Sequence, residues 1–389
     1  MGSTLVVNPG STSRKYAWYR DDTRVFSVAI ETTPSGLAAF VTNQAGQTIQ
    51  HEDAPTSLLR AFSFASELAN SAGVVTSNDA AALRVVLRVV APGEEFAQHQ
   101  YHTEAVAAAL KKAAPLVPLH IPIVQAELAA IQEALPEALI LLASDSAFHS
   151  EQDARVRATG MAAADAKRAG WRRFGYHGLS VASVLRQLQE REGVVPTRTI
   201  VCHIGGGVSV TAVKEGQSVA TSMGLTPASG VAMGTRGGDM TADELAALLT
   251  VGTVTTETMW KYLYTETGWY GKTGQADLRT VLDAASDPHS AAAATVATFI
   301  YQVQSYIAQY TVLLGGVDRI VLTGTAALRN SYIRQQLLSE LTVLGVQLDQ
   351  EVNESLRGNG VISTTDSPVL VEVLKNDEFG EMAKIAHEH

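Results

Sequence analysis

The sequence predicts an α/β protein built as two domains, and three observations lead there. The chain has 389 residues, longer than a single hydrophobic core usually grows. Short β-branched runs alternate with helix-period stretches along its whole length, the pattern of strands interleaved with crossover helices. One order of elements also occurs twice: a strand, a glycine- and serine-rich turn, hairpin strands, then helices and parallel-type strands. The halves share this layout without a residue-level repeat, and no low-complexity linker divides them.

Taken in order, Leu5–Val7, Val25–Ile30 and Leu37–Val41 read as strands, with turn residues Pro34, Ser35 and Gly36 between the last two. Ser57–Ala72 reads as a helix that Gly73 ends. Leu83–Val90 is short and β-branched, a buried strand. Helices over Glu104–Ala114 and Ile123–Ala134 and a strand over Ala138–Ala143 complete the first run. In the second run Ser180–Glu190 is a helix and Arg198–Ile204 a strand. Val208–Val213 and Ser218–Ser222 form a hairpin around Lys214-Glu215-Gly216. Thr241-Ala-Asp-Glu244 is a capping box opening a helix through Leu249. Val296, Phe299, Ile300, Val303, Ile307, Tyr310 and Leu314 mark one face of a long helix stopped by Gly315-Gly316. Strands at Arg319–Thr323 and Pro368–Leu374 and a helix at Glu378–His387 finish the chain. The expected division is residues 1–148, completed by the C-terminal helix 376–389, and residues 149–375.

Composition narrows the function. Hydrophobic residues make up 46% and charged residues 17%, so a sizeable core forms and disorder is excluded. The single cysteine, Cys202, cannot pair internally and sits in the β-branched run Thr199–Cys202. It is expected to be a small buried hydrophobe in a reducing compartment. The start shows no basic-then-apolar leader pattern and no stretch is apolar enough to span a bilayer, so a cytoplasmic protein without a membrane partner is expected. The net charge of −10 repels nucleic acid, so no nucleic-acid partner is expected. An anionic substrate would have to be captured by local arginines and backbone N–H groups.

Six segments carry residues suited to that task. Asn8-Pro-Gly-Ser-Thr-Ser-Arg-Lys15 follows a strand, and its hydroxyls (Ser11, Thr12), N–H groups and Lys15 suit phosphate oxygens. His203-Ile-Gly-Gly-Gly-Val-Ser209 follows another strand, and Gly205, Gly206 and Gly207 let backbone approach a ligand. Each alone is explained equally by a hairpin turn. Met233-Gly-Thr-Arg-Gly-Gly-Asp239 sets Arg236 among glycines, which suits a planar anion or developing phosphoryl charge. Phe174-Gly-Tyr-His-Gly178 offers His177 as a donor or a packing residue. Asp145, in Ser144–His149 after an apolar strand, suits a base, an orienting group or a turn cap. Arg88 lies inside a largely apolar strand and calls for an anionic partner or an edge position.

In this order the segments resemble the acetate kinase family, the acetate and propionate kinases. The resemblance rests on Asn8–Lys15, Leu87–Glu94, Pro118–Pro122, Asp145–His149, Phe174–Gly178, His203–Ser209, Thr221–Pro227 and Met233–Asp239, and it spans nearly the whole chain. It implies an actin-like fold of two ribonuclease-H-like domains around a central cleft. The implied reaction is reversible phosphoryl transfer between an acyl phosphate and a nucleotide, with Mg²⁺, in a homodimer. By the same resemblance Arg88 and Arg236 bind the carboxylate or the phosphoryl in transfer, His177 hydrogen-bonds that phosphoryl, and Asp145 orients or deprotonates the carboxylate. Asn8 holds phosphates and metal, and Asp377 or Glu378 supplies a metal-associated carboxylate. Val90, Leu119, Tyr176 and Pro227 line the acyl pocket, Tyr176 adding a hydroxyl there. His203, Gly205, Gly206, Gly207, Gly324 and Asn330 bind phosphate or nucleotide. The chain departs from the family's Gly-Gly-Ile-Gly-Glu-Asn at Thr323–Asn330, where Gly324 and Asn330 are retained and Leu328 and Arg329 add bulk. The donor therefore stays open between ATP, another nucleotide, and pyrophosphate or phosphate. A non-catalytic nucleotide-binding relative and a kinase for another acceptor are the competing readings.

Overall fold

A computed structural model describes residues 3–33, 35–74 and 83–389, so the expected turn at Pro34 lies outside the described residues. The chain divides into two compact units, Met1–Ala147 with Asp377–His389, and Phe148–Asn376.

The described strands of the first unit form one sheet: β1 (Ser3–Pro9), β2 (Ser13–Arg20), β3 (Thr23–Thr33), β4 (Gly36–Asn43), β5 (Thr48–Gln50), β6 (Arg84–Val89), β7 (Gln100–Tyr101) and β8 (Ile140–Ser144), in the order β5-β4-β3-β2-β1-β6-β8-β7. β1, β6 and β8 run parallel side by side, whereas β1 to β5 form an antiparallel meander. The parallel strands are continuous apolar runs because helices cover them. Helix Ile121–Ala134 packs on β1 and β6, as does the C-terminal helix Glu378–Glu388. That helix buries Met382, Ala383, Ile385 and Ala386, and the Arg84 guanidinium donates to the Ala386 carbonyl near its end at 2.6 Å. Helices Ala61–Ser71 and Glu104–Ala113 complete the layer.

The second unit repeats the plan on β9 (Arg198–Ile204), β10 (Val208–Lys214), β11 (Gln217–Thr221), β12 (Arg319–Thr323), β13 (Gly360–Val361) and β14 (Leu370–Val373), ordered β11-β10-β9-β12-β14-β13. β9, β12 and β14 are parallel. The β10–β11 turn has positive φ at both Glu215 and Gly216, the geometry that matches strand twist in a two-residue hairpin. Helix Gly178–Glu192 lays Val181, Val184, Leu185 and Leu188 on Val201, Val213 and Val321 of the sheet. The long helix Ala291–Leu314 ends at Gly315 in the left-handed region, and the capping box of Thr241 and Glu244 is formed.

Four of the described strands have no counterpart in the sequence analysis: the long β2 and the short β5, β7 and β13. Residues 13–15, taken as part of a phosphate turn, begin β2. Ser13 pairs with Glu31 and Lys15 with Asn8 across the sheet. The segment mixes charges with aromatics, and Tyr16–Tyr19 are all buried, so neither strand alternation nor a plain apolar run announces it.

Candidate active site

In the first unit the candidate residues stand at the C-terminal ends of neighbouring parallel strands, where ligands of α/β sheets bind. Asn8 is near the end of β1, Arg88 near the end of β6, and Asp145 directly follows β8. The Asp145 N–H donates to the Val89 carbonyl at 3.0 Å, which carries the ladder one residue further. Arg88 grips Asp145 with two bonds, Nε to Oδ1 at 3.2 Å and Nη2 to Oδ2 at 3.0 Å. Its Nη1 donates to Asn8 Oδ1 at 3.3 Å and lies 3.7 Å from Glu378 Oε2. Asn8 Nδ2 donates to that same carboxylate oxygen at 2.8 Å. Burial opposes the Arg88 charge, but Asp145 and Glu378 outweigh it and hold the guanidinium proton more firmly than usual.

The two C-terminal carboxylates separate in role. Glu378 joins the cluster, while the Asp377 side chain caps its own helix by accepting from Gly380 N–H at 3.0 Å. Among the described residues no three His, Cys, Asp or Glu side chains gather as a ready metal cage. Asn8 and Glu378 bring an amide and a carboxylate oxygen into one cluster, with Asn8 meeting Glu378 here through its Nδ2. Mg²⁺ takes one or two such ligands and completes its shell with water and substrate phosphate oxygens, so the donor set fits it.

The turn Pro9–Ser13 closes β1 onto β2, with Gly10 N–H donating to Ser13 O at 2.8 Å. Ser11 and Thr12 are exposed at its tip. Lys15 is on the strand, 3.8 Å from Glu31. The turn is held from inside by Arg14, which the sequence reading passed over. Arg14 is buried, donates to the carbonyls of Gly10 and Ser13, and pairs with buried Glu127 at 2.9 Å. Tyr16 completes the clamp by donating to Glu127 at 2.9 Å.

In the second unit His177, His203, Arg236 and the glycine turn converge. His177 sits at φ 63° just ahead of helix Gly178–Glu192, a strained conformation for a non-glycine residue. Its Nδ1 meets Ser209 Oγ at 3.0 Å, and its ring lies against His203 with centroids 4.3 Å apart. His203 Nδ1 in turn meets Ser180 Oγ at 2.8 Å. Gly207 has to be glycine, because a Cβ there would stand 2.7 Å from His177 Nε2 and 3.2 Å from Arg236 Nη2. Gly205 N–H closes the turn onto Gly207 O at 2.9 Å. Arg236 is buried and donates to the Pro227 carbonyl at 2.7 Å and the Gly206 carbonyl at 3.1 Å. Burial lowers its pKa, Tyr264 opposing this in part, and among the described residues no carboxylate is paired with it. His149, at the end of the Asp145–His149 motif, is buried; its ring meets the Tyr176 carbonyl at 3.0 Å and Ser218 Oγ at 2.8 Å, pinning the turn that carries His177.

Three of the candidate residues also make structural contacts. The Asn330 side chain caps helix Ser331–Leu338, accepting from Ile333 N–H at 2.9 Å, so its amide does structural work. Gly324, at φ 87°, lets β12 turn against β9, where a Cβ would meet Ile204 O at 2.5 Å. The Tyr176 hydroxyl donates to the Leu225 carbonyl at 2.7 Å. Of the other acyl-pocket residues, Val90 is buried and Leu119 half-buried in the first unit, and Pro227 is buried in the second.

A model of the Acetokinase family matches residues 3–384. The chain belongs to this family. An acetate kinase of Clavibacter michiganensis subsp. michiganensis is 32% identical, over 99% of this chain and 98% of the relative. A crystal structure of Porphyromonas gingivalis acetate kinase superposes with a TM-score of 0.83 at 28% identity, covering 100% of this chain and 99% of that one. A propionate kinase structure from Francisella tularensis subsp. tularensis SCHU S4 gives 0.86 at 24% identity, covering 99% and 98%, and speaks for the fold alone. Membership makes the chain a phosphotransferase with a carboxylate acceptor, on an actin-like α/β fold with two sheets.

Proposed function

We propose that this member of the acetokinase family phosphorylates acetate reversibly, taking the phosphoryl group from a phosphoanhydride such as a nucleoside triphosphate. The observation that carries the reading is the Asn8–Arg88–Asp145–Glu378 cluster at three parallel strand ends. A guanidinium has five N–H donors, and Arg88 uses three on Asp145 and Asn8. The two that remain suit a second carboxylate, the substrate's.

Acetate is already ionised at neutral pH, so no base is required. Both Asp145 oxygens are occupied by Arg88, and the role assigned to Asp145 is to orient that arginine. Arg236 and His177 face developing phosphoryl charge, which needs positioning and neutralisation above all. If the Ser209 hydroxyl donates to His177 Nδ1, the ring carries its proton on Nε2, the atom nearest the glycine turn. Asn8 and Glu378 would hold Mg²⁺. When bound, the ion supplies charge neutralisation to the phosphate oxygens.

The single buried cysteine supports a reducing, cytoplasmic setting. Tyr301 and Val312, exposed on helix Ala291–Leu314, support a homodimer that covers them. The test is hydroxylamine trapping of acyl phosphate from purified protein, Mg²⁺, a phosphoanhydride donor and acetate or propionate. Acetate should give hydroxamate at the higher kcat/KM, and absence of product with every acid and donor would sink the proposal.

A further inference from the structure

The second unit contains a cavity of about 590 Å³. It opens past the end of β12, whose last residue, Thr323, pairs with His203 of β9. Small-molecule cavities are mostly apolar with a few polar groups. Here Arg329, Arg334, Arg357 and Lys375 line the space against one carboxylate, Glu354. Four cations and one anion leave a local charge of +3 in a chain whose net charge is −10.

None of the four cations is ion-paired among the described residues. Arg334 is only 1% exposed, yet every acceptor it reaches is neutral. Its Nε donates to Asn353 Oδ1 at 2.7 Å, Nη1 to the Ala327 carbonyl at 2.8 Å and Nη2 to the Asn353 carbonyl. Burial, and then the neighbouring Arg357, lower its pKa. Arg357 reaches only the carbonyls of Glu354 and Leu356. The Glu354 carboxylate accepts instead from Gln350 Nε2 at 2.6 Å. A charge held out of water without a counter-ion is costly, and a bound polyanion offsets that cost at this place.

We propose that the cavity binds the non-transferred end of the phosphoryl donor as a chain of phosphates, so that inorganic polyphosphate of three or more units is a better donor than a nucleoside triphosphate. This rests on the carboxylate-kinase reading and goes beyond it. A purine base offers no anionic oxygens to four cations, and the lining contains no aromatic side chain to stack on one. In the reaction a carboxylate oxygen forms the new O–P bond to the terminal phosphorus. The bridging P–O bond breaks, and the shortened chain leaves with its electron pair, neutralised where it lies. No proton or redox partner is needed.

The test uses the whole protein with Mg²⁺ and acetate, and compares ATP, pyrophosphate, tripolyphosphate and a longer polyphosphate by hydroxamate formation. Thermal stabilisation by tripolyphosphate without acetate is read in parallel, since a ligand raises the melting point through its own affinity. The expected order of kcat/KM is longer chains over pyrophosphate and ATP. Arg329→Ala and Arg357→Ala should each raise the KM for tripolyphosphate about tenfold, the weight of a charge-assisted bond, with little change for pyrophosphate. Added salt should raise the tripolyphosphate KM more than the acetate KM. A preference for ATP, or variants that leave tripolyphosphate binding and stabilisation unchanged, would overturn the inference while leaving the carboxylate-kinase reading intact. Stabilisation by tripolyphosphate that the variants abolish, with no hydroxamate from any donor, would support the site and overturn the reaction.

Discussion

Arg88 and Arg236 carry the same guanidinium into opposite surroundings. Arg88 is clamped between the carboxylates of Asp145 and Glu378, which hold its charge against burial. Arg236 is buried against carbonyl oxygens only, and burial lowers its pKa. The first unit thus presents a cation already neutralised, with spare N–H groups for a weakly charged guest. The second presents cations that await an anion, at Arg236 and again in the cavity lined by Arg329, Arg334, Arg357 and Lys375. Under the proposed function, the first surrounding suits acetate and the second a multiply charged phosphate donor.

The largest expected effect follows from the second surrounding. Arg236→Ala should lower kcat about a thousandfold, as loss of a group that faces transition-state charge does, while the unfolding midpoint stays near that of the parent. A variant that unfolds at ordinary temperature would show Arg236 to be structural. Arg88→Ala should behave differently. Removing it breaks the Arg88 ion pair of the buried Asp145 carboxylate, at a cost of about 3 kcal/mol or more in stability, read by urea unfolding. An unchanged midpoint would break the contrast between the two arginines.

The clamp was only partly legible in the sequence. Arg88, Asp145 and His177 stood out because charge or histidine interrupts apolar or glycine-rich runs. The partners that fix them did not, since Ser209, His149 and Arg14 meet their targets through folding. Glu127 lies 111 positions from Tyr16, and no local pattern links them. Asn330 was readable as a helix cap, because it precedes Ser-Tyr-Ile at the start of a helix; the family pattern drew attention to its amide instead. Parallel strands and the long helix were legible from buried runs and a glycine stop. The short helices at Met259–Thr265, Gly268–Thr273 and Leu278–Ala284 were not, because helices of so few turns carry too little periodicity.

A smaller effect tests the positioning of His177. Ser209→Ala should reduce kcat about tenfold with KM values preserved, since it frees the ring's tautomer without touching substrate. Equal loss in Ser209→Thr would show that the hydroxyl is not what matters. The smallest effect concerns Cys202, whose thiol burial pushes up to about 12. It should resist thiol reagents at neutral pH in the native protein and react fully in denaturant; rapid native labelling would contradict its buried place in β9.

The division of labour is tested most directly by two-substrate kinetics on Arg88→Lys and Arg236→Lys measured side by side. The account predicts that Arg88→Lys raises the KM for acetate and spares that for the donor, while Arg236→Lys lowers kcat and spares the KM for acetate. If both variants shift both KM values in parallel, the two arginines do one job, and the contrast drawn between their surroundings has no functional meaning.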